Sequence, residues 1–193
     1  MTPTWYFLNE IDSTNNEAKR ILFGESPTHP ICVVAEAQTA GRGTQGKSWS
    51  SPTGAGIYLS VGVATRASPV PEAATLSIST GSALASLLSR RAKLAVSTKG
   101  VNDLFVGDRK LGGILCECTV RGDSCESIVV GIGLNVLDVP RSLDQPDYQP
   151  TSLQQEMPAN EFAMLDVASL TKALANATIN VIADAAGLSG YIE

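Results

Sequence analysis

Residues 40–49 read Ala-Gly-Arg-Gly-Thr-Gln-Gly-Lys-Ser-Trp, so three glycines are interleaved with two cations. Glycine has no Cβ, and such a loop can turn its amides inward at positive φ and present bare N–H groups to one anion. Arg42 and Lys47 would add charge-assisted hydrogen bonds to that anion, which points to phosphate or carboxylate chemistry. The spacing is neither G-x-x-x-x-G-K-[ST] nor a G-x-G-x-x-G that opens a helix, so the common nucleotide fingerprints do not apply. A solvated hairpin loop is the alternative that this stretch alone leaves open.

Three more segments carry groups of the same kind. Asp12-Ser13-Thr14-Asn15 precedes a helical pattern, Asn102-Asp103 enters a hairpin, and Asp108-Arg109-Lys110-Leu111-Gly112-Gly113-Ile114-Leu115 returns from it. Singly they read as an N-cap, a turn, and a surface cation beside two strand glycines. Together they add small polar groups, a carboxylate and a further cation to the glycine loop.

The elements that must position these residues follow from pattern. Thr14 with Glu17 makes a capping box for a first helix that Gly24 stops. Ile31 to Ala37 is an apolar run of strand length, and Gly56 to Val63 a second strand. Pro71 opens a helix with Leu76, Ala83, Leu84, Leu87 and Leu88 on one stripe and Arg90 and Arg91 in its last turn. Strands follow at Lys93 to Lys99, Leu104 to Val106, Arg109 to Val120 and Ser127 to Leu137, with Gly107-Asp108 as a two-residue hairpin turn. Residues 138–160 hold four prolines and read as a long loop. Val167, Leu170, Leu174, Ala177 and Val181 then place an amphipathic helix over about residues 160–186, ended by Gly187. Strands in hairpins with helices between imply an α+β domain, its mainly antiparallel or mixed sheet covered on one face.

Composition excludes several functions. With 193 residues, 44% of them hydrophobic, the chain can bury one sizeable core and reads as a single domain over 1–193. Its net charge is −5, so the surface as a whole repels nucleic acid and any cationic site is local. No apolar run reaches the ~20 residues of a membrane span, and Met1 to Glu10 lacks the n- and h-regions of a signal peptide, so a cytoplasmic protein is expected. His29 is the sole histidine, and Cys32, Cys116, Cys118 and Cys125 form no C-x-x-C, which leaves little for zinc or a histidine-dependent hydrolase. Cys116 and Cys118 fall on one face of a strand, as small hydrophobes.

Four blocks in order carry a resemblance: D-S-T-N at 12–15, A-E-A-Q-T-A-G-R-G-T-Q-G-K-S-W-S-S-P-T-G-A-G-I-Y-L-S at 35–60, N-D-L-F-V-G-D-R-K-L-G-G-I-L at 102–115, and G-I-G-L-N-V at 131–136. They resemble the catalytic domain of biotin protein ligases. The resemblance implies a class II aminoacyl-tRNA synthetase/biotin synthetase-like fold. It also implies a two-step reaction: biotin and Mg·ATP give biotinyl-5'-AMP, and biotin passes to a lysine of a biotin carboxyl carrier protein or carboxylase subunit. By the same resemblance, Ser13, Thr14, Gln38, Gly41, Arg42, Lys110, Gly113 and Gly133 would contact biotin. Arg42, Lys47, Trp49, Lys99, Asn102, Asp103, Lys110 and Asn135 would serve ATP, with Asp103 as the Mg²⁺ ligand and Lys110 and Arg42 as catalytic cations. Trp49 or Tyr58 would wall the apolar part of the biotin pocket.

The chain departs from the family at Gly100, where the family carries a large aromatic, and at Thr44, where an arginine is common. Neither an N-terminal DNA-binding domain nor the small C-terminal β-barrel of longer members is expected, and no nucleic-acid or membrane partner. Exposed sheet edges leave room for a homodimer. Rival readings are a lipoate-type ligase and a biotin-binding homologue without catalysis.

Overall fold

The computed structural model describes residues 2–137 and 148–188. Among them lie β1 (Thr4–Ile11), α1 (Thr14–Glu25), β2 (Ile31–Gln38), β3 (Gly56–Ala67), α2 (Ala73–Ala92), β4 (Val96–Lys99), β5 (Asp103–Val106), β6 (Arg109–Arg121), β7 (Ser124–Asn135), β8 (Gln149–Pro150), α3 (Leu153–Glu156), α4 (Ala159–Phe162) and α5 (Val167–Ala186). The strands form one mixed sheet in the order β1-β2-β3-β7-β6-β5-β4, with β8 paired to β6. β1 runs parallel to β2, β8 runs parallel to β6, and the remaining pairs are antiparallel. The α+β class expected from sequence is what the chain adopts.

Alternation along the central strands sets the two faces. Ile57, Leu59, Val61 and Val63 of β3 join Ile128, Val130, Ile132 and Leu134 of β7 in the main core, which α2 and α5 close with Leu76, Leu84, Leu88, Leu170, Leu174 and Ile182. Tyr58, Ser60, Gly131 and Gly133 occupy the alternate positions of the same strands.

The opposite face is also covered at one end, which corrects the single-face expectation. There Ala18, Ile21 and Leu22 of α1 pack on Ile31, Val33 and Val129. The unbroken apolar run of β2 is the reason, since a strand buried on both faces has no polar alternate positions.

The first helix also starts differently from the expected capping box. Ser13, in extended backbone, is the N-cap and its side chain makes no capping bond, while Glu17 pairs with Arg20 at 2.6 Å. A lost cap costs about 1 kcal/mol. Burying two large apolar side chains contributes roughly 3–6 kcal/mol, so tertiary packing decides the position of α1. Its C-terminus runs past Gly24 to Glu25, with Ser26 left-handed at φ 47°.

Other boundaries shift. α2 begins at Ala73 rather than Pro71, and Lys93 caps it in the left-handed region, so β4 starts only at Val96. The long loop expected over 138–160 contains β8 and α3, with Thr151, Ser152 and Leu153 buried, and α4 straddles its end, so the terminal helix expected from about residue 160 starts only at Val167. Residues 138–147 of that loop lie outside the described residues. β1 has no counterpart in the sequence pattern. Cys116 and Cys118 pack against the main core as expected, and burial pushes the Cys116 thiol up to about 11. No helix among the described residues is long and apolar enough to cross a membrane.

Candidate active site

The cleft opens where the N-terminus of α1, the glycine loop, and the β5, β6 and β7 strands meet. Its floor is backbone. Gly113 of β6 and Gly133 of β7 are register partners, and the indole of Trp49 lies on them. A Cβ at Gly133 would come within 2.4 Å of Trp49 Cε2, and one at Gly113 within 3.2 Å of Cζ3. The glycines expected to admit a ligand therefore admit an aromatic side chain of the chain itself. Gly41 is required on similar grounds, since a Cβ there would sit 2.3 Å from Trp49 O. Trp49 Nε1 is buried without a hydrogen-bond partner among the described residues.

One wall is a hydrogen-bonded polar array. Gln38 Oε1 accepts from Thr14 N at 2.8 Å and from Thr14 Oγ1 at 3.2 Å, while Gln38 Nε2 donates to Ser51 Oγ at 2.7 Å. Ser60, fully buried, donates to Asn15 Oδ1 at 2.6 Å and lies 2.8 Å from Thr14 Oγ1. The first amide of α1, one of the four that a helix leaves without an intrahelical partner, is thus taken by a side chain from β2. Ser13, Thr14, Asn15 and Gln38 line the cleft together. The helix N-terminus adds a partial positive charge on this side.

The other wall is charged. Lys110 Nζ stands 2.9 Å from Asp103 Oδ1, with 13% and 15% of the two side chains exposed, and 5.5 Å from the Trp49 ring centroid. Asn102 Nδ2 donates to Asp103 Oδ1 at 3.1 Å and lies 3.5 Å from Thr44 Oγ1. The loop closes on itself through Gly43 N to Lys47 O (2.8 Å) and Trp49 N to Gly41 O (2.8 Å). Arg42, Thr44, Lys47, Asn102, Asp103, Lys110 and Tyr148 all line the cleft.

Most of the residues expected from sequence therefore converge, and four do not line the cleft: Gly41, closed off by Trp49 O, and Lys99, Asn135 and Tyr58. Lys99 pairs with Asp108 at 2.6 Å and lies over the Phe105 ring. Asn135 is buried, its Nδ2 donating to Thr151 O at 2.9 Å and approaching Lys110 O at 3.5 Å, so it ties β8 behind Lys110. Tyr58 is buried with its hydroxyl on Pro52 O at 3.0 Å and walls nothing in the cleft. Gly100 sits in the turn after β4 at φ 61° with open space around its Cβ position. Left-handed backbone there favours glycine over a large aromatic.

Sequence reasoning missed Ser60, Glu117, Gly131 and Tyr148. Ser60 and Glu117 were detectable as polar residues inside apolar strands. Gly131 is needed because a Cβ would lie 2.2 Å from Asn15 Oδ1. Tyr148, edge-on to Phe105 with centroids 5.1 Å apart, carries no sequence signal that links it to the cleft.

The sequence profile of the biotin/lipoate A/B protein ligase family matches residues 7–135, well over half of the chain. The chain belongs to this family. Among relatives of this ligase-family chain, the bifunctional ligase/repressor BirA of Escherichia coli is 40% identical over 126 residues, covering 65% of this chain and 38% of the relative. The biotin–[acetyl-CoA-carboxylase] ligase of Mycobacterium tuberculosis is 35% identical over 120 residues, 61% of this chain and 43% of the relative. The chain thus spans about two fifths of the length of either relative. The biotin protein ligase of Leishmania major, solved in complex with biotin, superposes with a TM-score of 0.66 at 26% identity, covering 91% of this chain and 74% of that one.

Proposed function

We propose that this chain is a biotin protein ligase, acting through biotinyl-5'-AMP on a lysine of a biotin carboxyl carrier protein or carboxylase subunit. The observation that carries the reading is the pairing, around one cleft, of a neutral polar wall with a cationic one. Biotin has a urea head, an apolar bicycle and a carboxylate tail, and needs both. The Thr14–Gln38–Ser51 array offers a fixed donor and acceptor set for the urea, and Trp49 on its glycine floor offers the apolar surface.

In the first step a biotin carboxylate oxygen attacks the α-phosphorus, the bond to the bridging oxygen breaks, and pyrophosphate leaves. Two anions must approach, so fixed positive charge that needs no reorganisation lowers the barrier. Lys110, beside Asp103 and the Trp49 ring, takes that role, and Arg42 and Lys47 line the same cleft. In the second step the acceptor lysine amine attacks the acyl carbon, loses a proton, and AMP departs.

Mg²⁺ characteristically takes one or two carboxylates with substrate phosphate oxygens. Asp103, the carboxylate among the cleft-lining side chains, fits that donor set, and would hold an ion that neutralises phosphate charge. Asp103 also holds Lys110 in place through the 2.9 Å contact.

The acidic chain favours a carrier protein over nucleic acid as partner, in a cytoplasmic setting, and the edges at β1 and β4 leave a homodimer open. ATP–pyrophosphate exchange tests the reading: it should require biotin and ignore lipoate. Exchange with lipoate would assign the chain to the family's other branch. Biotin binding without exchange would leave a binding protein.

A further inference from the structure

Glu117 has no part in the proposed reaction. β6 is apolar on its helix side, yet midway along it a carboxylate faces the cleft side with 18% of the side chain exposed. Three side chains converge on it. Lys19 Nζ donates to Oε1 at 2.6 Å and Asn15 Nδ2 to Oε2 at 2.9 Å. Arg42 Nη2 donates to Oε1 at 3.0 Å, and its Nη1 lies 3.4 Å from Oε2 while donating to Asn16 Oδ1 at 2.9 Å. Burial would push this carboxyl up, but Lys19, Asn15 and Arg42 outweigh it and hold it below the usual carboxylate range.

The groups around Glu117 come from two elements, whose backbones join at Ala40 N to Asp12 O (2.9 Å). Asn15, Asn16 and Lys19 lie on α1, and Arg42 lies on the glycine loop. Among the described residues, the other side-chain tie from loop residues 42–47 to the body of the fold is the long contact from Asn102 to Thr44. A stretch with three glycines is entropically costly to hold in one conformation. A charge-assisted, two-pronged contact to guanidinium is the kind of interaction that can offset that cost.

We propose that Glu117 is a positioning residue that fastens the glycine loop to the start of α1 through Arg42 before any ligand arrives. The fork of Arg42 spends both Nη1 hydrogens and one Nη2 hydrogen on Glu117 and Asn16. Nε–H and the second Nη2 hydrogen remain for an incoming anion. Loop cation and helix N-terminus then meet that anion already assembled, which lowers the ordering cost of binding. The inference rests on the ligase reading only for what the anion is.

Hydrogen exchange of residues 41–47 in the ligand-free full chain tests the fastening without any substrate. Glu117→Gln should accelerate it about tenfold, the scale of a charge-assisted hydrogen bond. Arg42→Ala should do the same, and the double variant should be no faster than Arg42→Ala alone. Unchanged exchange in Glu117→Gln, or additive acceleration in the double variant, overturns the proposal. If Glu117→Gln does not fold, Glu117→Asp carries the test, with an intermediate acceleration expected and none refuting it.

In biotin-dependent pyrophosphate exchange, Glu117→Gln should raise the biotin KM by a larger factor than it lowers kcat, and Glu117→Asp should recover part of the loss. A kcat loss at constant KM overturns the positioning role. A wild-type protein with no biotin-dependent exchange refutes the ligase reading instead, and leaves the ligand-free result to stand or fall alone.

Discussion

Replacing Lys110 with alanine should have two consequences of separate origin and size. Chemically, it removes a preorganised charge from the place where carboxylate and phosphate would meet, which typically costs about 10² to 10³ in rate, or roughly 3–4 kcal/mol. Structurally, it strands Asp103, whose remaining partner among the described residues is Asn102 Nδ2 at 3.1 Å. Exposed ion pairs contribute about 0–1 kcal/mol, and breaking a fully buried one costs about 3–5 kcal/mol. With side chains 13% and 15% exposed, this pair falls between those limits. A loss of about 2 kcal/mol is expected, or roughly 4–8 °C in Tm for a chain of this size.

Single-turnover formation of biotinyl-adenylate and a thermal melt separate the two effects. In Lys110→Ala combined with Asp103→Asn the stranded charge is gone, so part of the Tm should return while adenylation stays slow. Lys172→Ala, on the exposed side of α5, should change neither by a measurable amount. Adenylate forming at the wild-type rate in folded Lys110→Ala would refute the assignment of Lys110 to the reacting bond.

Gly133→Ala places a methyl 2.4 Å from Trp49 Cε2, so the indole must leave its floor, at about 1–3 kcal/mol of overpacking. Tryptophan emission in a Trp5→Phe background should shift, and Gly24→Ala, with nothing within 4 Å, should leave it alone; equal spectra for both would contradict the packing described. Acid should loosen the α1 end of the site. Hydrogen bonds from Arg20 hold the Asp12 carboxyl well below its ordinary range, and Glu117 is lowered too. Their stabilisation is complete above the unfolded carboxylate pKa of about 4 and is lost as pH falls through the folded values. Denaturant stability should therefore drop below about pH 4, less steeply in Asp12→Asn, and parallel pH profiles would refute that linkage.

What the sequence disclosed and what it withheld divide along one physical line. Elements with a full period of apolar residues, such as α2, α5 and the 104–115 hairpin, were legible because their own side chains specify their faces. β1 was not, because Trp5 to Ile11 is an edge strand whose residues are largely half-buried or exposed on both sides, so no alternation marks it. α3 and α4, at four residues each, are too short to show a helical period.

The site divides in the same way. Arg42, Lys110, Asp103 and Gln38, singled out by residue type and motif, do line one cleft. Direction was another matter. Lys99 and Asn135 had suitable chemistry, but a nearer partner claims each, Asp108 nine residues on and the carbonyl of Thr151 across β8. Thr14 looked like a cap because local spacing said so, whereas the partner of its amide is Gln38, 24 residues away.

The face that Glu117 occupies is legible in the pattern alone. Period-two counting from Ile114, which points into the core, through Cys116 and Cys118 puts Glu117 on the opposite face with Gly113 and Leu115. A carboxylate there is too costly to bury alone, so a cation has to come to it, and the glycine loop carries Arg42 and α1 carries Lys19. The choice between Arg42 and Lys19 did not need to be made, because the fold delivers both.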